Sequence, residues 1–382
     1  MARDPMALAR DLAERGRYTA APNPLVGAVI ERRGRILGEG FHARAGEDHA
    51  EVAALKDCAN AGDDARGTTL HVTLEPCNHH GRTPPCTEAI IRAGISRVVI
   101  GHLDPDPRMS GHSVELLRAA GVEVEVLADT VQTRDLERQN EQFFYYMSTG
   151  RPFVHVKLAM TLDGRISSGG GPERITGTDS RSRVHLLRAE AGAVLVGAGT
   201  ARADDPLLDT RYLPPDVEPP TVTRVVLDPG LTLDPDGRLA RSANEAPVVV
   251  FGAERSFDGR ESALRGAGVD VVPVPDLEFG EDRDLDLWFV LKELGCRGVR
   301  GVLVEGGGET VGRFAQAGLI DKMTLFYAPR LIGAGGVPAV GRLNAEGLSG
   351  TSGYKVDNVE RFEEDVALTL YPGEAASQRK GA

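Results

Sequence analysis

His49-Ala50-Glu51, then Thr73-Leu74-Glu75-Pro76-Cys77, then Cys86 after eight intervening residues: this stretch organises the 382-residue chain. One imidazole and two thiols are three soft or borderline donors, a set that suits a metal ion whose fourth position stays open. Glu51, two residues from His49, can stand beside that position without touching the ion. Val52, Ala53 and Leu55 continue from it at helical spacing, which predicts a helix opened by His49 and Glu51 with Asp48 as its N-cap. A predicted strand, Thr68 to Leu74, runs straight into Glu75-Pro76-Cys77. Cys86 opens a second predicted helix, 86–93, stopped at Gly94. Helix N-termini and a nearby cation both favour thiolates, so each cysteine is placed where ligation is chemically easy.

The order H-x-E, P-C, C is the signature of the zinc deaminases, although their second half is ordinarily C-x2-C. Here it is C-x8-C, which makes Asn78 to Pro85 an insertion. Zinc in such a site lowers the pKa of water, and the glutamate takes a proton as base and returns it to the departing amine as acid. A structural zinc would want four protein ligands, with His79 or His80 as the fourth. Against that alternative, His79 and His80 read as loop or substrate-facing residues. Cys58 and Cys296 read as core or surface thiols.

Composition narrows the class. The chain is 41% hydrophobic and 26% charged, ordinary for a globular protein, and long enough for two or three domains. A formal net charge of −12 argues against a nucleic-acid partner, because phosphate binding needs a basic footprint. No apolar run approaches a membrane span, and Met1-Ala2-Arg3-Asp4-Pro5 lacks a signal peptide's apolar core. Four unevenly spaced cysteines fit a reducing compartment, so the expectation is a cytoplasmic protein.

Working outward, Pro5 to Arg15 reads as a helix and Ala21-Pro22-Asn23-Pro24 as a rigid loop. Leu25 to Ile30 and Ile36 to Gly40 read as a hairpin. Further strands at Arg97 to Gly101 and Val122 to Leu127 flank a helix from His112 to Ala120. Alternating strands and helices predict a mainly parallel sheet with the metal at its carboxyl edge. Asp129 to Met147 reads as one polar helix carrying Phe143-Phe144-Tyr145-Tyr146, an aromatic patch suited to packing. Ser148 to Pro152 is the expected boundary.

The second half repeats the pattern. Phe153 to Ala159, Ala193 to Gly197, Val222 to Leu227, Val248 to Phe251, Val299 to Val304, Leu325 to Ala328 and Val366 to Leu370 read as strands. Asp179 to Ala191 and Val311 to Ala317 read as helices, and Ser167 to Pro172 as a glycine-rich loop. The run Glu305-Gly306-Gly307-Gly308-Glu309-Thr310 lies between strand and helix, where backbone amides can approach a phosphate. With 46 glycines in the chain, that run alone is a weak signal. The expected domains are 1–148 and 152–372, with 373–382 a disordered tail.

Taken together, His49-Ala50-Glu51 and Thr73 through Cys86 (read with Asn78-His79-His80-Gly81-Arg82-Thr83-Pro84-Pro85 between the cysteines) closely resemble the bifunctional deaminase/reductase family of riboflavin biosynthesis. That family accounts for the eight-residue spacing. The resemblance includes Pro22-Asn23-Pro24, Lys157 to Gly164, Leu186-Leu187-Arg188-Ala189, Thr200 to Pro206 and Glu305 to Thr310, and spans about residues 3 to 372. It implies an α/β protein with an N-terminal cytidine-deaminase-like three-layer domain and a C-terminal dihydrofolate-reductase-like domain. The first would deaminate 2,5-diamino-6-ribosylamino-4(3H)-pyrimidinone 5′-phosphate; the second would use NADPH to reduce the ribosyl chain to ribityl. A deaminase-only protein with a degenerate second domain is the alternative.

The resemblance also implies roles. His49, Cys77 and Cys86 would hold Zn2+, and Glu51 would shuttle protons. Asn23, His42 and Arg82 would line the pyrimidine pocket. Lys157, Asp204 and Glu305 would surround the ribose as the catalytic set of the reductase, with Thr176 and Leu208 as further substrate contacts. Arg188 and Arg211 suit the substrate phosphate, since guanidinium forks match phosphate oxygens. Ala159, Arg174, Thr200, Asp204, Gly307, Gly308, Glu309, Thr310, Val311, Gly312 and Arg313 would contact NADPH. Two departures stand out. Arg174 replaces the tryptophan usual just before Ile175-Thr176, in a shortened loop, and could favour the cofactor's phosphates. Asp106, in Asp104-Pro105-Asp106-Pro107, replaces the usual asparagine and adds negative charge near the deaminase mouth. The expected partner is a small pyrimidine ribosyl phosphate, without nucleic acid or membrane, in a homo-oligomer.

Overall fold

A computed structural model describes residues 4–79, 84–107, 109–128, 131–169, 171, 173–215, 217–275, 285–341, 343 and 353–373. The chain divides into two compact units, Met1–Gly150 and Arg151–Ala382. The expected disordered tail lies, from residue 374 on, outside the described residues.

In the first unit the elements run α1 (Pro5–Ala13), β1 (Gly27–Arg32), β2 (Arg35–Phe41), α2 (Ala50–Asn60), β3 (Thr69–Val72), α3 (Cys86–Ala93), β4 (Arg97–Ile100), α4 (His112–Ala119), β5 (Glu123–Val126), α5 (Val131–Gln139) and α6 (Glu141–Thr149). The strands form one sheet in the order β2-β1-β3-β4-β5. Strand side chains alternate between faces, so the apolar pattern builds two layers of packing. Ala28, Ile30, Leu70, Val72, Val98 and Ile100 face Ala54 and Cys58 of α2 and Ile90 of α3. On the other face Val29 meets Ala9 and Leu12 of α1, and Val99 meets Leu136 of α5.

Three expectations change here. The sheet is only half parallel: β3, β4 and β5 run parallel, but β1 is antiparallel to both β2 and β3 because the hairpin feeds it in reversed. The long helix from Asp129 is two helices, broken at Asn140. That buried side chain donates to the Leu25 carbonyl and accepts the Leu25 N–H, at 2.9 and 2.8 Å, holding the β1 entrance in place of a helical turn. The N-cap of α2 is His49, not Asp48, whose carboxylate instead pairs with Lys56 at 2.5 Å.

In the second unit come β6 (Phe153–Thr161), β7 (Arg165–Ser167), α7 (Thr178–Ala191), β8 (Ala193–Gly197), α8 (Ala198–Asp204), β9 (Thr223–Leu227), α9 (Arg238–Arg241), β10 (Val248–Ala253), α10 (Arg260–Gly266), β11 (Asp270–Val274), α11 (Leu287–Cys296), β12 (Gly301–Val304), α12 (Gly308–Gln316), β13 (Lys322–Ala328), β14 (Val337–Pro338), β15 (Tyr354–Phe362) and β16 (Asp365–Pro372). Nine strands order as β11-β10-β9-β8-β12-β6-β13-β16-β15, the first seven parallel and the last two added antiparallel. β7 and β14 pair separately. The central strands are apolar on both faces, as a doubly covered parallel sheet requires: Val194, Leu195, Val302, Leu303 and Val304 are all fully buried. Val304 of β12 pairs with Val156 of β6 and with Leu195 of β8, so Glu305, just past β12, lies near Lys157 within β6 and near the Gly197 end of β8.

Candidate functional sites in the two units

His49 sits just outside α2 in an extended conformation, so its ring turns away from the helix and toward the cysteines. Its Nδ1 lies 3.5 Å from Cys77 Sγ and 3.3 Å from Cys86 Sγ. A tetrahedral zinc, with Zn–S about 2.3 Å and Zn–N about 2.0 Å, sets each sulfur about 3.5 Å from the nitrogen. The donor set and its edges fit such an ion. Among the described residues these three make up the one His/Cys/Asp/Glu group close enough to share a metal. His79 is exposed and outside it; His80 and Arg82 lie outside the described residues.

The cysteines are prepared for ligation. Cys86 is the first residue of α3, and its backbone N–H donates to Cys77 Sγ at 3.3 Å. Hydrogen bonds from Cys86 and His49 hold the Cys77 thiol well below its ordinary pKa, whereas the proton it gives up is retained nearby, raising Cys86 and His49. Metal binding must displace those protons.

Glu51 occupies the first turn of α2 and is 3% exposed. Burial, and then the Cys77 charge, push its carboxyl up to about 7, a value suited to accepting and returning a proton near neutrality. His42, whose ring meets that of His49 edge-on at 5.3 Å between centroids, has Nδ1 3.0 Å from the Asp48 carbonyl and Nε2 2.9 Å from the Asn23 side-chain amide. A carbonyl only accepts, so Nδ1 carries the proton and Nε2 accepts from Asn23. With Nδ2 donating to His42, the Asn23 side chain keeps Oδ1 as its acceptor. Burial keeps His42 below its ordinary pKa, preserving the neutral ring.

Glu75 was legible only as part of the motif, yet it ties the metal segment down. Its buried carboxylate accepts N–H bonds from Asp104, Gly111 and Ser113 at 3.1, 2.9 and 3.0 Å. Ser113 Oγ also donates to the Pro76 carbonyl at 2.5 Å. The loop holding Asp104 and buried Asp106 is thus fastened to the Cys77 segment.

In the second unit, Arg188 Nε and Nη2 donate to the two oxygens of Glu305 at 2.5 and 2.8 Å, and Nη1 donates to the Asp209 carbonyl at 2.9 Å. The guanidinium fork expected to meet a substrate phosphate is therefore engaged by Glu305, a pairing that no spacing in the sequence announced. Lys157, one strand over, is half-buried; desolvation lowers its pKa while Glu305 opposes that. Arg211 is the more open cation, its Nε 3.1 Å from Asp209 Oδ1. Leu208 is buried in the left-handed region at φ 53°. Thr176 is half-buried and immediately precedes Gly177, whose N–H donates to Asp365 at 2.7 Å.

The predicted cofactor residues gather at the ends of β8 and β12. α12 begins at Gly308, three residues earlier than expected, so Gly308, Glu309 and Thr310 form its first turn. No side chain caps it, which leaves its first amides to a ligand, the geometry that holds phosphates. Thr200 Oγ1 accepts the Gly307 N–H at 2.9 Å, fastening the two strand ends together. A Cβ on Gly306 would stand 3.0 Å from the Gly197 nitrogen, so the close approach of the strand ends depends on glycine. These features fit a pyrophosphate-bearing cofactor. Val311 belongs wholly to the core, Gly312 is buried and Arg313 half-buried; Ala159 is half-buried on β6; Asp204 and Arg174 are exposed.

A side chain on Gly308 would lie 2.4 Å from the Pro338 carbonyl oxygen. Gly308→Ala is expected to destabilise the second unit by about 1–3 kcal/mol through overpacking and to weaken NADPH binding. Thermal melts and cofactor titration of the purified variant check both; unchanged values would place Gly308 outside the binding turn.

Residues 152–368 match the family model described as the RibD C-terminal domain, and residues 2–102 match the cytidine and deoxycytidylate deaminase zinc-binding region. The riboflavin biosynthesis protein RibD of Aquifex aeolicus is 40% identical over 95% of this chain and 96% of its own. That of Escherichia coli is 36% identical over 96% and 98%. Among solved structures, Acinetobacter baumannii RibD (form 1) superposes with a TM-score of 0.85 at 35% identity, covering 97% of this chain and 98% of its own. A Thermotoga maritima diaminohydroxyphosphoribosylaminopyrimidine deaminase/5-amino-6-(5-phosphoribosylamino)uracil reductase does so at 0.81 and 35%, with the same coverage.

Proposed function

We propose residue roles for two consecutive reactions, because this chain belongs to the RibD family, the bifunctional deaminase–reductase of riboflavin biosynthesis. Its first domain is cytidine-deaminase-like and its second is the dihydrofolate-reductase-like RibD reductase. Zinc and NADPH are its cofactors. The observation that carries the deaminase half is the convergence of His49 Nδ1 and two cysteine sulfurs beside a buried Glu51.

The substrate in this reading is 2,5-diamino-6-ribosylamino-4(3H)-pyrimidinone 5′-phosphate. Zinc, held by His49, Cys77 and Cys86, supplies Lewis acidity toward water. The Glu51 carboxylate takes a proton from that water as its oxygen adds to the ring carbon bearing the 2-amino group. The same carboxyl then protonates the amine, which leaves as ammonia. Asn23 and His42 orient the pyrimidine.

NADPH supplies the hydride for the second reaction. Lys157, made a stronger acid by burial, protonates the ribose oxygen as the ring opens toward ribityl. Glu305 fixes Lys157 and Arg188 around the sugar, and Asp204 completes the polar set. Thr176, Leu208 and Arg211 hold the substrate, Arg211 at its phosphate. The first turn of α12, with Thr200 and Ala159, receives the cofactor, and Arg174 reaches its phosphates. The deaminase-only alternative has no support: both family regions match this chain.

Two coarser readings complete the picture. No helix among the described residues is long and apolar enough to cross a membrane, and four free cysteines suit a reducing cytoplasm. The edge strand β15 exposes Val356 (57%) and Val359 (60%), which supports pairing with a second copy.

Zinc removal separates the two halves. Chelated protein is expected to lose ammonia release and regain it on zinc addition, while reduction of the already deaminated substrate continues throughout. Deamination persisting in protein shown to be metal-free would remove zinc from the mechanism.

A further inference from the structure

We propose that His185 is the positioning residue of the substrate-phosphate loop: its bare Nδ1 holds the Arg211 backbone N–H when the ring is neutral and releases it when the ring is protonated. The proposal deepens, and rests on, the reading that Arg211 meets the substrate phosphate.

His185 lies on α7 three residues before Arg188, hence on the same helical face, and is 8% exposed. Its Nδ1 has two neighbours on the loop that follows α8. The Arg211 backbone N–H is 3.0 Å away and the Asp209 carbonyl 3.1 Å. One nitrogen cannot serve both. The N–H needs a bare, accepting nitrogen; the carbonyl needs a protonated, donating one. In the neutral ring the conflict has one good resolution. Asp209 O already receives Arg188 Nη1 at 2.9 Å, so a bare Nδ1 taking the Arg211 N–H leaves both loop groups satisfied. A proton on Nδ1 reverses this. It gives the Asp209 carbonyl a second donor and leaves the Arg211 N–H without its acceptor.

The loop has reason to need such a tie. Asp205, Leu208 and Tyr212 all stand in the left-handed region, at φ 38°, 53° and 59°, where non-glycine residues persist only if surroundings hold them. The His185 ring also meets Tyr212 edge-on, 5.2 Å between centroids. The charged groups facing it are Arg188 on its own helix, Arg211 and Asp209 on the loop, and Glu305 beyond Arg188 at the end of β12. Burial and the two arginines lower its pKa and the Asp209 groups oppose them, so the neutral, holding form prevails at neutral pH and is lost on the acid side.

The test is steady-state reductase kinetics of the full chain with NADPH and the deaminated ribosylamino phosphate, across the pH range where histidine titrates. His185→Asn places a non-titrating acceptor, Oδ1, near the Nδ1 position; His185→Ala removes it. His185→Ala is expected to raise KM for this substrate roughly tenfold, the effect of a lost buried acceptor, with kcat and the KM for NADPH little changed. On the dephosphorylated substrate the penalty should vanish. His185→Asn should restore KM and lack the extra acid-side rise of the wild type. The phosphate's own ionisation falls in the same range but is common to all variants, so the difference between profiles isolates the ring. An Asn variant as impaired as Ala, a penalty that survives dephosphorylation, or a fall in kcat without a change in KM overturns the proposal. A wild type that does not oxidise NADPH with this substrate overturns the site reading and the proposal with it.

Discussion

Glu51→Gln is expected to keep zinc and lose deamination by about 10³-fold, the middle of the range for a single general acid–base group. The substitution conserves shape in a position only 3% exposed, two residues from a metal ligand, so α2 and the His49 ring stay in place. What disappears is the proton carrier. A carboxyl whose burial brings it to about 7 can accept from water and give to an amine in one turnover; an amide can do neither. The reductase half should be untouched. Metal analysis alongside ammonia release checks the separation, and a variant with full zinc and near wild-type ammonia release would end the proton-shuttle role.

Glu305→Ala should cost the second domain about 3–5 kcal/mol, the usual effect of breaking a buried ion pair from one side. The Arg188 and Glu305 side chains are 13% and 9% exposed and joined by two hydrogen bonds, and Lys157 lies beside them. Removing the carboxylate strands two cations. Burial alone would raise the Glu305 pKa, but Arg188 and then Lys157 hold it below the ordinary 4.5. A depressed folded pKa stabilises fully above the unfolded value, and that contribution is lost as pH falls through the folded one. Glu305→Gln should accordingly flatten the acid side of the stability profile while losing less than Ala at neutral pH. Denaturant melts of the two variants across pH give both numbers; an Ala variant as stable as the wild type would show the pair to be solvated.

The first domain was largely legible because its chemistry and its local structure coincide. Cys86 opens a helix and Gly94 closes it at φ 72°, so spacing alone fixed α3. The metal triad needed no more than donor types in order. Asn140 was not legible as a helix breaker, since its reason is Leu25, 115 residues away. β15 escaped because it is a solvent-facing edge strand whose alternation is shifted by a bulge between Val356 and Asn358. The reductase site was harder for a related reason. Arg188, Glu305 and Lys157 come from three separated elements, and only the β6–β12–β8 neighbourhood reveals that the arginine's fork is spent on the glutamate. Resemblance could name those residues; it could not say which of them touch each other.

The most direct measurement gives the zinc-loaded chain the diaminopyrimidine ribosyl phosphate, with and without NADPH, and follows ammonia and NADPH absorbance together. The account predicts ammonia in both cases, and NADPH oxidation that lags behind ammonia release and requires the substrate. Ammonia with no NADPH oxidation, or NADPH oxidation that precedes ammonia, would contradict it.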